Sequence, residues 1–275
     1  MVHDQAETLR QRMSQRTIRS VDSVRHCRIS MFLGAKSGFG TTSLVSNLAV
    51  SLARRNKRIL VIDSQCESPD IAGHCRISSA PALAALLSNQ RTLRELVQTG
   101  PCGVDVLASE PESMHEQLTA SSVKLVITAA TTSDYDHVLI DAGDVDQNGY
   151  VSWLRSVHDI HIVSTCAPEA VMDCYSAMKT LAGQTTSARI RTLLNRCEST
   201  PVAENLHQRL ALSASRFLNL ALFCSGAITE EPAFHAALAA QRPLILWKPN
   251  CAASLQLNEI ALQLDETVRP VTRAA

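Results

Sequence analysis

The feature that most constrains this chain is a glycine-rich segment between a predicted strand and a predicted helix. Its sequence is Gly34-Ala35-Lys36-Ser37-Gly38-Phe39-Gly40-Thr41-Thr42-Ser43. The apolar run 29–33 precedes the segment, and a helical pattern of apolar residues that starts at Leu44 follows it. In this context backbone N–H groups and the helix N-terminus cradle phosphate, so the segment predicts a phosphate-binding loop. A working loop of this kind has a Lys directly before its Ser or Thr, and here that position is Thr41.

Other motifs follow the loop in a fixed order. One apolar run, 58–62, is followed by Asp63-Ser64-Gln65, and another, 137–140, ends at Asp141. The later segments are Thr165-Cys166-Ala167-Pro168-Glu169, Leu193-Leu194-Asn195-Arg196, Glu230-Glu231-Pro232 and Gln241-Arg242-Pro243. Together with Lys36, five residues before Thr41, this order resembles the MinD/ParA family over residues 28–264. The loop pattern of that family is K-G-G-x-G-K-[ST].

The resemblance implies a site for ATP or ADP with Mg²⁺. The implied nucleotide-binding residues are Ser37, Gly38, Phe39, Gly40, Thr41, Thr42, Ser43, Asn195 and Arg196. Among them Asn195 would meet adenine, and Thr42 together with Asp141 would hold Mg²⁺. The implied catalytic positions are Lys36, Asp63, Gln65 and Asp141. In this family the residue at the place of Lys36 reaches across an ATP-bound dimer, so a homodimer is expected only when ATP binds.

Two departures from the family pattern predict a weak site with vestigial catalytic positions. Thr41 replaces a Lys whose charge-assisted hydrogen bonds each contribute about 1.5–3 kcal/mol, so losing two lowers nucleotide affinity by about 10²- to 10⁴-fold. Gln65 stands where active relatives have a carboxylate that orients the attacking water, and a neutral amide cannot take up a proton. We therefore expect weak binding of ATP or ADP and Mg²⁺. A loop that binds no ligand and a loop that supports efficient hydrolysis are the alternatives.

A second motif stands at the start of the chain. The segment Asp4-Gln5-Ala6-Glu7-Thr8-Leu9-Arg10 resembles the D-Q-A-x-x-L-R activator segment of the FlhG family, also called YlxH or FleN. That family consists of MinD-like regulators of flagellar number and placement. The resemblance implies binding and stimulation of an FlhF-type GTPase, with flagellar switch (C-ring) proteins as further partners. The residues implied in binding are Asp4, Gln5, Ala6, Leu9 and Arg10. By residue chemistry alone, the segment is a helix capped by Asp4, and an inert, frayed helix is the alternative.

Length and composition indicate one α/β domain after this segment. The chain has 275 residues, 45% of them apolar, which is enough for one sizeable core. Its 26 basic and 26 acidic residues give a formal net charge of zero, which disfavours broad adhesion to nucleic acid. The nine Cys have no C-x-x-C spacing, so we expect reduced thiols in a cytoplasmic protein and no zinc or other structural metal. We divide the chain into an activator helix with its tether, 1–25, and a MinD/ParA-like P-loop domain, 26–275.

Short β-branched runs alternate with helical patterns along this domain. The predicted strands are 28–33, 58–62, 104–107, 137–141, 160–164, 189–194 and 220–225, and the predicted helices are 43–55, 119–131, 168–181, 202–217 and 254–266. Such alternation predicts a single doubly wound, mainly parallel sheet with helices on both faces. Ligands of such sheets bind beyond the carboxyl ends of the strands, where the loop, Asp63 and Asp141 all fall.

The last predicted helix, 254–266, bears on membrane attachment. Its charged residues are Glu259, Asp265 and Glu266, and anionic lipid repels an acidic face. We therefore expect this helix to pack on the sheet. Membrane association would then be indirect at most, through recruitment to the flagellar pole by partners.

Three functions are consistent with these motifs. The first is an FlhG-like regulator that presents its N-terminal helix to a GTPase and has little or no ATPase activity. The second is a MinD-type switch ATPase that dimerises with ATP, which Thr41 disfavours. The third is a ParA-like DNA-partitioning protein, which the activator motif and the zero net charge disfavour.

Overall fold

Eight strands form one sheet, in which every neighbouring pair except β3–β4 is parallel within the described part of the chain. A computed structural model describes residues 27–65, 68–78, 82–88, 91–109 and 118–266. The strands are β1 (Arg28–Gly34), β2 (Ile59–Asp63), β3 (Gln98–Thr99), β4 (Asp105–Leu107), β5 (His137–Asp144), β6 (Asp159–Thr165), β7 (Arg189–Cys197) and β8 (Leu222–Thr229). Their order across the sheet is β3-β4-β2-β5-β1-β6-β7-β8.

Some of the helices have recognisable start signals in the sequence. They are α1 (Thr41–Ala53), α2 (Ile71–Cys75), α3 (Ala82–Leu87), α4 (Leu93–Leu96), α5 (Ala120–Thr131), α6 (Pro168–Ala182), α7 (Thr200–Leu218), α8 (Ala233–Ala239), α9 (Leu244–Trp247) and α10 (Ala252–Glu266). A Pro lies in the first turn of α6 and of α7, where its missing N–H costs nothing. The side chain of Thr119 accepts a hydrogen bond from the Ser122 N–H and so caps α5.

Two apolar layers cover the two faces of the sheet. On one face α3 to α7 surround a cluster that includes Met31, Ile140 and Trp153. On the other face α1, α2, α9 and α10 surround a cluster that includes Phe32 and Leu139. Successive residues of β1 thus point into opposite layers, as the alternation of a strand requires.

The predicted α/β fold is confirmed, and all seven predicted strands and all five predicted helices are present. Most boundaries differ by one to three residues. For example, β5 continues past Asp141 to Asp144, because Gly34 of β1 pairs with Asp144 after an irregularity in the register. The sequence did not predict β3 or the short helices α2 to α4, α8 and α9, since segments of two to seven residues are too short for a periodic pattern.

Helix α10 packs against α1 and β8, as predicted. Leu257, Ile260 and Leu264 are buried on its inner side. No helix in the described ranges is long and apolar enough to cross a membrane. The activator motif from Asp4 to Arg10, the boundary at residue 25 and the tail 267–275 lie outside the described residues.

The buried imidazole of His161 makes stability depend on pH. It lies on β6, stacks on the Phe32 ring with the centroids 4.5 Å apart, and places Nδ1 2.7 Å from Ser225 Oγ. Burial lowers the pKa of His161 to about 3. The unfolded chain takes up a proton below the ordinary pKa of about 6.5, whereas the folded chain does not. Stabilisation by this neutral ring is therefore complete above that value and is lost as the pH falls towards 3.

We expect His161→Phe to remove this contribution. From about pH 7.5 to about pH 5.5, the wild-type protein should lose about 1.4 kcal/mol more free energy of unfolding than the variant, because one pH unit below the unfolded pKa corresponds to about 1.36 kcal/mol. Urea unfolding at both pH values measures the difference. The control is His235→Phe on the exposed side of α8, which should keep the wild-type dependence. Equal losses in wild type and His161→Phe would contradict the assigned titration.

Candidate functional site

The loop between β1 and α1 has the backbone of a phosphate-binding turn. Gly38 and Gly40 have φ angles of 84° and 89°, in the left-handed region that favours glycine. A Cβ on Gly40 would also lie 2.7 Å from Asn195 Nδ2, so another residue would collide with that side chain. Helix α1 starts at Thr41, directly after this turn. Because no turn of helix precedes them, its first backbone N–H groups have no carbonyl partner within the helix and are available to an anion.

Two adjoining clefts open above the loop. The first, which we call the phosphate cleft, has a volume of about 470 Å³. Its lining includes the predicted residues Lys36, Ser37, Gly38, Gly40, Thr41, Thr42, Ser43, Gln65 and Arg196. The second, the side cleft, has a volume of about 360 Å³ and is lined in part by Asn195, Glu231 and Phe234. Because Gly40, Ser43 and Arg196 line both clefts, a ligand can extend from one into the other.

Few cations face the phosphate cleft. The side chain of Thr41 is short and neutral where a Lys is usual, so it supplies no charge. Among the described residues that line the cleft, the Lys and Arg side chains are Lys36 and Arg196. Lys36 Nζ lies 3.6 Å from Asp173 Oδ2 on α6, in an ion pair whose Lys side chain is 60% exposed. An exposed pair of this kind contributes about 0.2–1 kcal/mol, so it leaves Lys36 free to move.

Gln65 connects the phosphate-binding helix to the sheet. Its Nε2 donates to Thr42 Oγ1 at 2.7 Å and to Asp141 Oδ2 at 2.7 Å. Thr42 lies in the first turn of α1, Asp141 lies on β5 and Gln65 follows β2. The sequence predicted all three as site residues, and the structure brings them together through one amide group.

Burial raises the pKa values of the two site carboxyls. For Asp141 burial raises the pKa to about 6, against hydrogen bonds from Thr42, Gln65 and the Gly143 N–H that lower it. For Asp63 burial and the nearby charge of Asp141 raise the pKa well above its usual range. Asp63 Oδ2 accepts the Ile71 N–H at 3.0 Å, and Oδ1 accepts the Gln65 N–H at 3.3 Å. Asp63 therefore ties Gln65, which follows β2, to the start of α2.

Asn195, on β7, holds the phosphate-binding loop through hydrogen bonds. Its Nδ2 donates to the Phe39 carbonyl at 2.9 Å, and its Oδ1 accepts the Arg196 N–H at 3.0 Å. Phe39 itself packs against both apolar layers. The predicted contact of Asn195 with adenine stays a prediction, whereas its position beside the side cleft agrees with that role.

Several residues that shape the site carried no sequence signal. Trp153 Nε1 donates to Ser64 Oγ at 2.8 Å and so fixes the turn before Gln65. Gly143 has a φ of 73°, and a Cβ there would lie 3.3 Å from Gln65 Cγ. The aromatic residue and the glycine lie far from the loop in the sequence, so only the folded arrangement reveals them.

One cysteine pair corrects the expectation of reduced thiols. Cys166, just after β6, and Cys197, at the end of β7, form a disulfide with their Cα atoms 5.1 Å apart. The parallel register that pairs Thr165 with Asn195 brings the two residues to neighbouring strand ends, within the usual range for a bridge. Cys27, Cys75, Cys102, Cys174, Cys224 and Cys251 are free thiols.

Comparison with known proteins identifies the class. A model of the CobQ/CobB/MinD/ParA nucleotide-binding domain matches residues 30–244, and the chain belongs to this family. It is similar to the antiactivator FleN of Pseudomonas aeruginosa, with 25% identity over 256 residues that cover 92% of this chain and 91% of FleN. The predicted resemblance to the MinD/ParA family and to FlhG-type proteins is thereby confirmed.

Solved structures confirm the fold. A ParA family ATPase from Chlorobium tepidum superposes with a TM-score of 0.72 at 18% identity, covering 86% of this chain and 98% of the ATPase. The septum site-determining protein MinD from Pyrococcus horikoshii, complexed with Mg-ADP, has a TM-score of 0.71 at 19% identity, covering 88% of this chain and 97% of MinD.

The residues present fit a nucleotide better than they fit Mg²⁺. The left-handed glycines, the open N-terminus of α1 and the two connected clefts suit phosphates with an attached base. The oxygens of Thr42 and Asp141 would suit Mg²⁺, but as arranged both accept hydrogen bonds from the Gln65 amide. Within the described part of the chain, no group of three or more His, Cys, Asp or Glu residues is placed to hold a metal ion.

We expect Thr41→Lys to raise the affinity for ATP at least about tenfold, since one charge-assisted hydrogen bond of about 1.5–3 kcal/mol corresponds to about that factor or more. Calorimetric titration measures the dissociation constant. Thr41→Gln is the matched control, because it adds length without charge and should change the affinity by less than about threefold. An unchanged dissociation constant in Thr41→Lys would mean that the phosphates do not lie at the start of α1.

Proposed function

We propose that this chain is an FlhG-like regulator of flagellar placement and number that binds an FlhF-type GTPase and stimulates its GTP hydrolysis. The activating part would be the N-terminal helix, with Asp4, Gln5, Ala6, Leu9 and Arg10 in contact with the partner. The P-loop domain would have weak or no ATPase activity. The observation that carries this second part is the Gln65 amide between Thr42 and Asp141. Similarity to FleN over nearly the whole chain supports the regulatory role.

The described part of the chain begins at the edge of the sheet opposite the cleft. Residue Arg28 begins β1 at the amino edge of the parallel sheet, whereas the loop follows Gly34 at the carboxyl edge. Seven residues of strand separate the two edges by about 23 Å at about 3.3 Å per residue.

The proposal assigns different roles to two residues of the motif. Gln5 would orient the attacking water in the GTPase site, as an activating side chain supplied in trans. Leu9 would bury its side chain against the partner, which contributes about 1.5–3 kcal/mol to binding. Flagellar switch proteins are proposed as further partners that recruit this cytoplasmic protein to the pole.

One observation favours a second candidate function, an ATP-dependent switch of MinD type. Lys36 is retained, and its exposed side chain forms an ion pair with Asp173. A dimer that forms with ATP would use that Lys across the interface.

We expect negligible release of phosphate from ATP, and weak or absent dimer formation on addition of ATP. Without the Lys at position 41, negative charge that develops on the transferred phosphoryl group lacks compensation. Without a carboxylate at position 65, the attacking water lacks a group that can take up its proton. A phosphate-release assay and light scattering with and without ATP measure the two properties. Steady phosphate release together with ATP-dependent dimers would favour the switch ATPase instead.

We expect the full chain, and a peptide of residues 1–25, to accelerate GTP hydrolysis by the FlhF-type partner. Gln5→Ala should abolish most of the acceleration at saturating concentration while binding is kept, because the missing group acts in the transition state. Leu9→Ala should weaken binding by about tenfold or more, since about 1.5–3 kcal/mol of burial is lost. Thr41→Lys serves as the control and should leave both quantities unchanged. Full acceleration by Gln5→Ala, or none by the wild-type chain, would contradict the proposal.

A further inference from the structure

The buried side-chain amide of Gln65 lies between Thr42 and Asp141, at the position where a divalent cation would be expected. We call this position the corner of the site. Gln65 is 8% exposed, and its Nε2 lies 2.7 Å from Thr42 Oγ1 and 2.7 Å from Asp141 Oδ2. The side chain rests against Gly143, whose lack of a Cβ gives Gln65 Cγ its room. The position of the amide is thus set by packing as well as by its two hydrogen bonds.

The chemistry of the amide matches the oxygens that surround it. A side-chain NH₂ group has two donor hydrogens, and here each points to one acceptor oxygen. An ionised carboxylate only accepts, so the nitrogen and not the carbonyl oxygen of Gln65 faces Asp141. Mg²⁺ requires oxygen ligands at about 2.0–2.1 Å in near-octahedral geometry. An ion bridging Thr42 and Asp141 would have to share its space with the Gln65 nitrogen.

We propose that this chain binds its nucleotide without a divalent cation, with the Gln65 amide in place of the metal between Thr42 and Asp141. The inference depends on the proposed function in one respect, which is that the P-loop domain binds a nucleotide. The negative charge of the phosphates is met by the backbone N–H groups at the start of α1 and by the Arg196 guanidinium, which lines both clefts.

The experiment compares the affinity of the full chain for fluorescently labelled ADP in magnesium buffer and in EDTA. For the wild type the two dissociation constants should agree within about twofold. Gln65→Ala removes the amide and opens the corner, so its affinity should fall at least about tenfold when magnesium is removed. Gln65→Asp, which places a carboxylate in the corner, provides a second variant and should show the same dependence.

A matched control lies on the same side of the sheet. Gln147 also donates its amide to a carboxylate, Asp144 Oδ2 at 3.4 Å, whereas the amide of Gln65 donates to Thr42 and Asp141. Gln147→Ala should therefore behave like the wild type. Electron paramagnetic resonance of Mn²⁺ with ADP gives a readout independent of affinity. We expect about one bound Mn²⁺ per chain in Gln65→Ala and none in the wild type.

Three outcomes would overturn the proposal. They are a wild-type chain that binds ADP only with magnesium, a wild-type chain that binds Mn²⁺ as Gln65→Ala does, and a wild-type chain that binds no ADP in either buffer. The GTPase assay with residues 1–25 does not depend on these results. Failure of the metal-free site and failure of the proposed activator can therefore be told apart.

Discussion

The parallel pairing of β1 with β5 on one side and β6 on the other is the constraint on which the rest of the site depends. It aligns Phe32 with Asp141, and Gly34 with both Asp144 and Val163, so the loop after Gly34 has to leave the sheet at the edge where these strands end. The Ala35 N–H, which donates to the Val163 carbonyl at 2.8 Å, extends this pairing into the loop. Because all ligand-facing segments start from that edge, changes in single side chains alter the chemistry of the site without altering its shape.

Gln65 connects three segments of the site without carrying a charge, so the shape of the site does not require a cation there. A divalent cation would neutralise Asp141 and draw phosphate oxygens towards it, whereas an amide supplies two hydrogen bonds and no net charge. The hydrogen bonds still tie α1 to β2 and β5, so the fold keeps its connections. Phosphoryl transfer, however, depends on positive charge around the transferred group. The missing Lys at position 41 and the amide at position 65 act in the same direction, and restoring either one alone leaves the other deficit in place.

The sequence was sufficient for most of the sheet and for the loop, because these follow from patterns within about ten residues of each other. It indicated only part of the cleft lining, since Asp70, His74 and Gly143 also line the phosphate cleft. Contacts between distant segments were not predictable. The role of Gln65 depends on Gly143 leaving room for its side chain, and the role of Asn195 depends on the Phe39 carbonyl being within reach. The disulfide between Cys166 and Cys197 depends on the register of β6 and β7, which strand predictions with errors of two or three residues do not fix.

A regulator that does not hydrolyse its own nucleotide needs another process to control when it is active. A nucleotide switch requires two states that bind a ligand or partner with different free energies, and a ligand with equal affinity for both states shifts nothing. If the cleft holds nucleotide without metal and without turnover, binding stabilises the P-loop domain but does not cycle it. A GTPase partner of the proposed kind would have a cycle of its own, and the proposed activator segment would act on that cycle without any hydrolysis in the P-loop domain. Loss of catalysis in the P-loop domain would therefore be compatible with the proposed regulatory function, because a bound nucleotide would contribute stability and the partner would contribute the timing.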